Sequence, residues 1–106
     1  MTAISFTAAG HAPVRVRVVM LDGQPWFATT DVIRKALRLR VREALRRLGQ
    51  LLPAERRIID RRTIERVERG NPRLTMVSLA GLARLIPDRS EFDAFRAWAA
   101  ALDATA

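Results

Sequence analysis

The chain has 106 residues, a length that fits one domain built around one hydrophobic core. It carries 19 basic and 11 acidic residues, a formal net charge of +8, with no cysteine and a single histidine. Cysteine ligands and disulfides are therefore excluded, as is a histidine-rich metal site, and we expect neither a metal nor a cofactor.

The amino-terminal quarter predicts a β-hairpin. Ile4–Thr7 is a candidate first strand, and Val14–Leu21 shows the alternation of a strand with one buried face. Asp22 and Gly23 form a two-residue turn signal, and Pro25–Ala28 is predicted to be the returning strand. This quarter has neither the basic start nor the apolar run of a signal peptide, and no apolar run along the chain is long enough to span a bilayer. We therefore expect a cytoplasmic protein without a membrane partner.

Two short helices are predicted next. Thr30 is the candidate cap of the first, which runs from Asp31 to about Leu39. After a break near Arg40, the second runs over Val41–Leu48 and stops at Gly49. Apolar periodicity predicts which side chains point inward: Val32, Ile33, Ala36, Leu37, Val41, Ala44, Leu45 and Leu48. The basic residues between them are predicted to face solvent, with Glu43 pairing with Arg47.

The second half alternates strands and helices. Ile58 and Ile59 fit a short strand, Thr63–Arg69 fits a helical turn or a hairpin tip, and Gly70 to Pro72 is a turn signal. Leu74–Val77 predicts a strand that returns to the sheet. Ser78 is then the candidate cap of a helix that ends before Pro87.

A Ser-x-x-Asp capping box at Ser90 predicts the last helix, whose apolar stripe includes Phe92, Phe95, Ala99 and Leu102, flanked by Trp98. We predict that five aromatic residues share one core joining the hairpin to this helix: Trp26, Phe27, Phe92, Phe95 and Trp98. The predicted fold is a single α+β domain over residues 1–106, with an amino-terminal hairpin, a short mixed sheet and about four helices.

The positive charge is concentrated in the middle of the chain. Arg34–Arg73 carries 14 basic and five acidic residues, whereas the segments before and after it have net charges of zero and −1. Such concentration favours a polyanion-binding face over a surface that is charged for solubility alone. The segment contains no aromatic residue, which disfavours the stacking modes of RNA and single-strand binding.

The residues do not assemble into a catalytic site. There is no cysteine nucleophile, no histidine at a known spacing from a serine, and no glycine-rich phosphate loop. Asp60, Glu65 and Glu68 could in principle form a nuclease centre, but they alternate with arginines, which is more typical of a solvated ion-pair face. We therefore expect a protein that is not an enzyme.

Two blocks of sequence resemble the BRO-N domain, the amino-terminal module of phage antirepressors and baculovirus repeated-ORF proteins. The first, Val14–Val32 (VRVRVVMLDGQPWFATTDV), is similar to that family's strand, Asp-Gly turn, Pro-Trp-Phe strand and helix start. The second, Leu74–Leu102, is similar to its strand, Gly-Leu helix and Phe-x-x-Trp helix. The resemblance implies an α+β fold, sequence-dependent DNA binding and transcription regulation in phages, prophages or mobile elements.

The leading hypothesis is thus a cytoplasmic, dimeric DNA-binding regulator of the antirepressor type. Its predicted contacts to double-stranded DNA are ten basic residues: Arg34, Lys35, Arg38, Arg40, Arg42, Arg46, Arg47, Arg61, Arg62 and Arg66. No catalytic or metal-binding residue is predicted. The alternative is an interaction module that binds an acidic surface of a repressor protein without DNA.

Overall fold

The computed structural model describes residues 2–6, 13–63 and 70–104. The turn or hairpin tip predicted for Thr63–Arg69, with Glu65, Arg66 and Glu68, lies outside the described residues apart from the backbone of Thr63. His11 lies outside them as well.

Five strands form one antiparallel sheet. They are β1 (Thr2–Phe6), β2 (Val14–Leu21), β3 (Gln24–Ala28), β4 (Arg56–Asp60) and β5 (Arg73–Ser78). Their order is β1-β2-β3-β5-β4, and every neighbouring pair is antiparallel. The α+β class is confirmed. The sheet is not mixed as predicted, because all four pairs of neighbouring strands are antiparallel.

The turn between β2 and β3 is the one that the sequence predicted. Asp22 and Gly23 have φ values of 54° and 76°, so both central residues are left-handed, as a type I′ turn demands. Leu21 pairs with Gln24 and Val18 with Phe27. This register places Val16, Val18 and Phe27 on one face of the sheet, fully or almost fully buried.

Helical segments follow β3 and β5. A π-helix (Asp31–Ala36) precedes α1 (Val41–Leu48), while α2 (Leu79–Leu85) and α3 (Asp93–Ala104) follow β5. Ser78 caps α2 as predicted, since its hydroxyl accepts a hydrogen bond from the Gly81 amide at 3.1 Å. No helix of the described residues is long and apolar enough to cross a membrane.

Two predicted caps are wrong. Thr30 already has helical dihedrals (φ −61°, ψ −42°) and makes no side-chain cap, because the chain turns into the helix before it. The capping box at Ser90 is replaced by a 3₁₀ turn, Ser90–Phe92, that leads into α3. The Asp93 carboxylate accepts instead from Nη1 of Arg96 at 2.9 Å.

The main core lies between the sheet and the helices. The ring of Phe95 on α3 is 5.1 Å from that of Phe6 and 5.4 Å from that of Trp98, and Phe27 is 6.3 Å from Trp98. Phe92 packs against this cluster from the preceding turn. Four of the five predicted aromatic residues therefore do join the hairpin to the last helix.

Trp26 does not belong to that core, contrary to the prediction. Successive strand residues point to opposite faces, so Trp26 and Phe27 cannot face the same layer. Trp26 packs with Ala28, Leu74 and Met76 in a second, smaller cluster on the other face of the sheet. The guanidinium of Arg57 lies 5.0 Å from the centre of the Trp26 ring.

The pairing of β2 with β3 ends at Val18 and Phe27, and beyond it the Asp31 side chain is the hydrogen-bond partner of β2. Its buried carboxylate accepts from the Arg17 amide at 2.9 Å and from Nε of the same arginine at 2.8 Å. Burial alone would raise the pKa of Asp31, but these hydrogen bonds and the charges of Arg17 and Lys35 lower it below its usual 3.8. The ionised form is therefore the one that stabilises the fold.

Asp31→Asn is expected to destabilise the domain by about 3 kcal/mol at pH 7, because it removes the buried negative charge that binds Arg17. A lowered pKa means that this stabilisation is present above the unfolded-state pKa and lost as the pH falls through the folded-state value. The difference between variant and wild type should therefore shrink below about pH 4. Urea unfolding at pH 7 and pH 3 measures it. If variant and wild type differed in stability by the same amount at both pH values, the stabilising role of the ionised Asp31 carboxylate would be contradicted.

Gly81 allows α2 to approach the sheet and the turn before β4. A Cβ atom added at Gly81 would lie 2.5 Å from a methyl group of Val77 and 3.0 Å from the backbone oxygen of Glu55. We expect Gly81→Ala to destabilise the protein by about 1–3 kcal/mol through overpacking. Gly49→Ala is the control, since Gly49 has a helical φ of −66° and its added Cβ would have only ordinary contacts. Thermal unfolding measures the stability of both variants. Equal losses of stability would contradict the close approach of α2 to the sheet.

Candidate nucleic-acid interface

The predicted interface begins on two consecutive helical segments. In the π-helix, Val32 and Ile33 are buried, and Leu37 directly after it is buried as well. Packing these side chains inward leaves the basic residues between them in solvent. Six basic residues are accordingly exposed: Arg34, Lys35, Arg38, Arg40, Arg42 and Arg46.

Arg38 forms the bend between the π-helix and α1. Its φ is +52°, a left-handed conformation that costs a non-glycine residue about 1–2 kcal/mol. A left-handed residue cannot continue a right-handed helix, so Arg38 separates the π-helix from α1. A strained backbone position with an exposed arginine is typical of a functional segment.

The exposed basic residues differ in how far acidic neighbours neutralise them. Lys35 lies 3.6 Å from Asp31, and Arg46 lies 3.5 Å from Glu43. Among the described residues, no carboxylate pairs with the other four, Arg34, Arg38, Arg40 and Arg42. Four unpaired guanidinium groups within nine residues produce a local positive potential that a bound polyanion would relieve.

An open groove of about 660 Å³ brings several of these side chains together. The π-helix contributes Lys35, the link after it contributes Arg38 and Arg40, and α1 contributes Arg42. Residues 89, 91 and 92 line the groove from the turn before α3. Five of the groove residues are basic and two are acidic. The groove therefore has a positive lining, supplied by two parts of the chain that are far apart in sequence.

Arg89 is a groove residue that sequence reasoning missed. It lies in a segment with no net positive charge, and only the tertiary structure brings it to α1. Its Nη2 donates to the Glu43 carboxylate at 3.1 Å, and its guanidinium lies 5.3 Å from the ring centre of Phe92. Arg89 therefore holds the turn before α3 against α1 and fixes the width of the groove.

Arg47 does not point into solvent as predicted. Its side chain is only 19% exposed, and it lies 3.8 Å from the Glu43 carboxylate, which bears out the predicted Glu43–Arg47 pair. Its Nη1 faces the Arg84 carbonyl oxygen at 3.5 Å. Because α1 packs against α2 on this side, Arg47 is occupied in joining the two helices.

Leu45 and Val41 were predicted to point inward, and this is wrong. They are 64% and 75% exposed, whereas Ala44 is buried and Leu48 is half-buried. The inward face of α1 is rotated toward Glu43 and Arg47, because these side chains bind Arg89 and α2. Local periodicity does not contain these long-range contacts, so it could not set the rotation of the helix.

The other predicted contacts lie at the end of the edge strand β4. Arg62 donates to both carboxylate oxygens of Asp60, at 2.7 to 3.2 Å, and this pairing lowers the pKa of Asp60 to about 2. Arg61 is half-buried, and its amide donates to the Pro72 carbonyl. Arg66 lies outside the described residues. Neither Arg61 nor Arg62 lines the groove.

The described residues contain no group of three metal-ligating side chains. No protein-family model, curated protein or solved structure matches this chain significantly. The site is therefore interpreted from its own geometry and charge.

Proposed function

We propose that this protein is a DNA-binding regulator of the phage antirepressor type, and that it contacts duplex DNA through the basic groove. The observation that carries the proposal is the set of four exposed, unpaired arginines between positions 34 and 42. Arginine binds phosphate through a planar fork of donors, and contacts to phosphates hold a protein on duplex DNA in a defined orientation. A DNA partner also favours a cytoplasmic location.

The antirepressor part of the proposal is supported by the resemblance to the BRO-N domain. The two blocks that carry this resemblance form the β2–β3 hairpin and the β5–α2–α3 unit. These units pack together through Phe27 and Trp98, while the basic groove lies between the π-helix, α1 and the turn before α3. The proposed division is thus a scaffold made of the two blocks and a contact surface made of the segment between them together with the turn of the second block that carries Arg89.

The test is a titration of a labelled duplex of about 20 base pairs at several salt concentrations, read by fluorescence anisotropy. If six basic residues each neutralise one phosphate, the logarithm of the affinity should fall with the logarithm of salt at a slope near −5, by the usual factor of about 0.9 per contact. No binding at low salt would contradict the proposal. The alternative, an antirepressor module that binds an acidic repressor surface without DNA, would then take first place.

We further propose that the protein acts as a two-fold dimer, because paired half-sites multiply the specificity of a domain with few base contacts. The hairpin and α3 are the candidate surfaces. On α3, the exposed side chains include Ala94, Ala97 and Ala101, which carry no charge that would oppose self-association. Light scattering should give twice the chain mass without DNA, and the mass of two chains plus one duplex with DNA. A monomer mass under both conditions, at high concentration, would refute the dimer.

A further inference from the structure

The exposed face of α1 combines two aliphatic and two basic side chains. Val41 and Leu45 are 75% and 64% exposed, and Arg42 and Arg46 are exposed beside them. At 100° per residue, the four side chains occupy an arc of about 140°, with the aliphatic pair on one side and the arginines on the other. This arrangement differs from an ordinary solvated helix face, which is polar throughout.

The opposite face holds α1 firmly on the domain. Ala44 is buried, and the Glu43 carboxylate binds Arg89 at 3.1 Å from the turn before α3. Leu48 packs against the main core. The helix is therefore a fixed ridge of eight residues, about 12 Å long, whose outer side chains are available for binding.

A second copy of the chain does not fit this ridge as a binding partner. A stable protein interface buries about 1,200–2,000 Å², far more than two aliphatic side chains on an eight-residue helix provide. Two such faces would also bring four guanidinium groups together, since the only carboxylate on α1, Glu43, is already bound to Arg89. Duplex DNA supplies the missing negative charge and a groove about 12 Å wide that admits an α-helix.

We propose that α1 is a recognition helix that enters the major groove, an inference that rests on the proposed duplex binding. Arg42 and Arg46 present forks of donors suited to O6 and N7 of guanine, and Val41 and Leu45 present methyl groups suited to the 5-methyl of thymine. The unpaired arginines of the flanking segment, Arg34, Arg38 and Arg40, then contact the phosphates beside the groove. Base reading and backbone binding are thus assigned to different side chains.

The aliphatic contacts are tested with a duplex enriched by wild-type protein from a random library, in which thymidine is replaced by deoxyuridine one position at a time. Removal of a contacted methyl group should weaken wild-type binding about fourfold. The double variant Val41→Ala, Leu45→Ala should bind the thymine duplex more weakly and become insensitive to uracil. Both positions are exposed and alanine favours helices, so the variant is expected to fold. Ile58→Ala, at an exposed aliphatic residue of β4, is the control and should behave as wild type.

The arginine contacts are tested with Arg42→Lys and Arg46→Lys, which keep the charge but lose the fork. Affinity for the enriched duplex should fall about tenfold or more for each variant, while affinity for unrelated duplex and the salt slope stay unchanged. Arg34→Lys is the control and should alter the sequence preference little, because Arg34 is assigned to phosphate contacts.

Two results would overturn the assignment of α1. If the Val41→Ala, Leu45→Ala variant kept wild-type affinity and wild-type sensitivity to uracil, α1 would lie outside the major groove, although duplex binding itself would stand. The same holds if both lysine variants kept the wild-type sequence preference. If wild-type protein bound no duplex at low salt, duplex binding and the recognition helix would both fail, and the ridge would be assigned to an acidic protein partner.

Discussion

Replacing Arg34, Arg38 and Arg40 together with glutamine is expected to weaken duplex binding by about several hundredfold at 0.1 M salt. Each lost phosphate contact removes about 0.9 from the slope of log affinity against log salt, so the slope should change from near −5 to about −2.3. Glutamine keeps most of the side-chain length and does not add strain at Arg38, whose φ is +52°. Anisotropy titrations at several salt concentrations measure both quantities.

The matched comparison uses two pairs of arginines that are all exposed and lack a carboxylate partner among the described residues. Arg38→Gln with Arg40→Gln removes two groove residues, and Arg56→Gln with Arg73→Gln removes two residues of the paired strands β4 and β5. Only the first pair should lower the slope by about two units. Equal losses from both pairs would mean that binding responds to net charge alone. Arg84 and Arg96 are weaker controls, because they bind Glu55 and Asp93.

The largest expected effect on stability is that of Phe95→Ala, a loss of about 3–5 kcal/mol. Phe95 is 2% exposed and lies within 5.4 Å, centre to centre, of the rings of Phe6 and Trp98. Its truncation would open a cavity where α3 meets the sheet. Since small domains have a total stability of about 5–15 kcal/mol, a substantial unfolded fraction is expected.

Urea unfolding monitored by tryptophan fluorescence measures this loss. Phe92→Ala is the comparison, because Phe92 is only half-buried and its truncation should lower the free energy of unfolding by less. A loss below about 1 kcal/mol for Phe95→Ala would show that α3 does not close the core.

The sequence by itself determined most of the fold, because its signals are local. Alternation from Val14 to Leu21 and the Asp22-Gly23 turn defined the hairpin, since a two-residue turn with left-handed φ values fixes the register of its strands. The start of α2 at Ser78 and the end of α1 at Gly49 likewise depend on hydrogen bonds to backbone groups within three or four residues. The concentration of charge between Arg34 and Arg73 is also a property of composition, so the candidate binding segment could be located without a structure.

The tertiary structure alone decided which faces these elements turn inward. Trp26 and Phe27 are adjacent in a strand and therefore point to opposite faces, but only the packing of the helices on one face decides which of them lies in the main core. The rotation of α1 depends on the contacts of Glu43 and Arg47 with Arg89 and Arg84, about 40 residues away in sequence. Hydrophobic periodicity averages over a helix and carries no information about such partners. That is why the sequence placed Val41 and Leu45 in the core, and why only the structure shows them exposed beside Arg42 and Arg46.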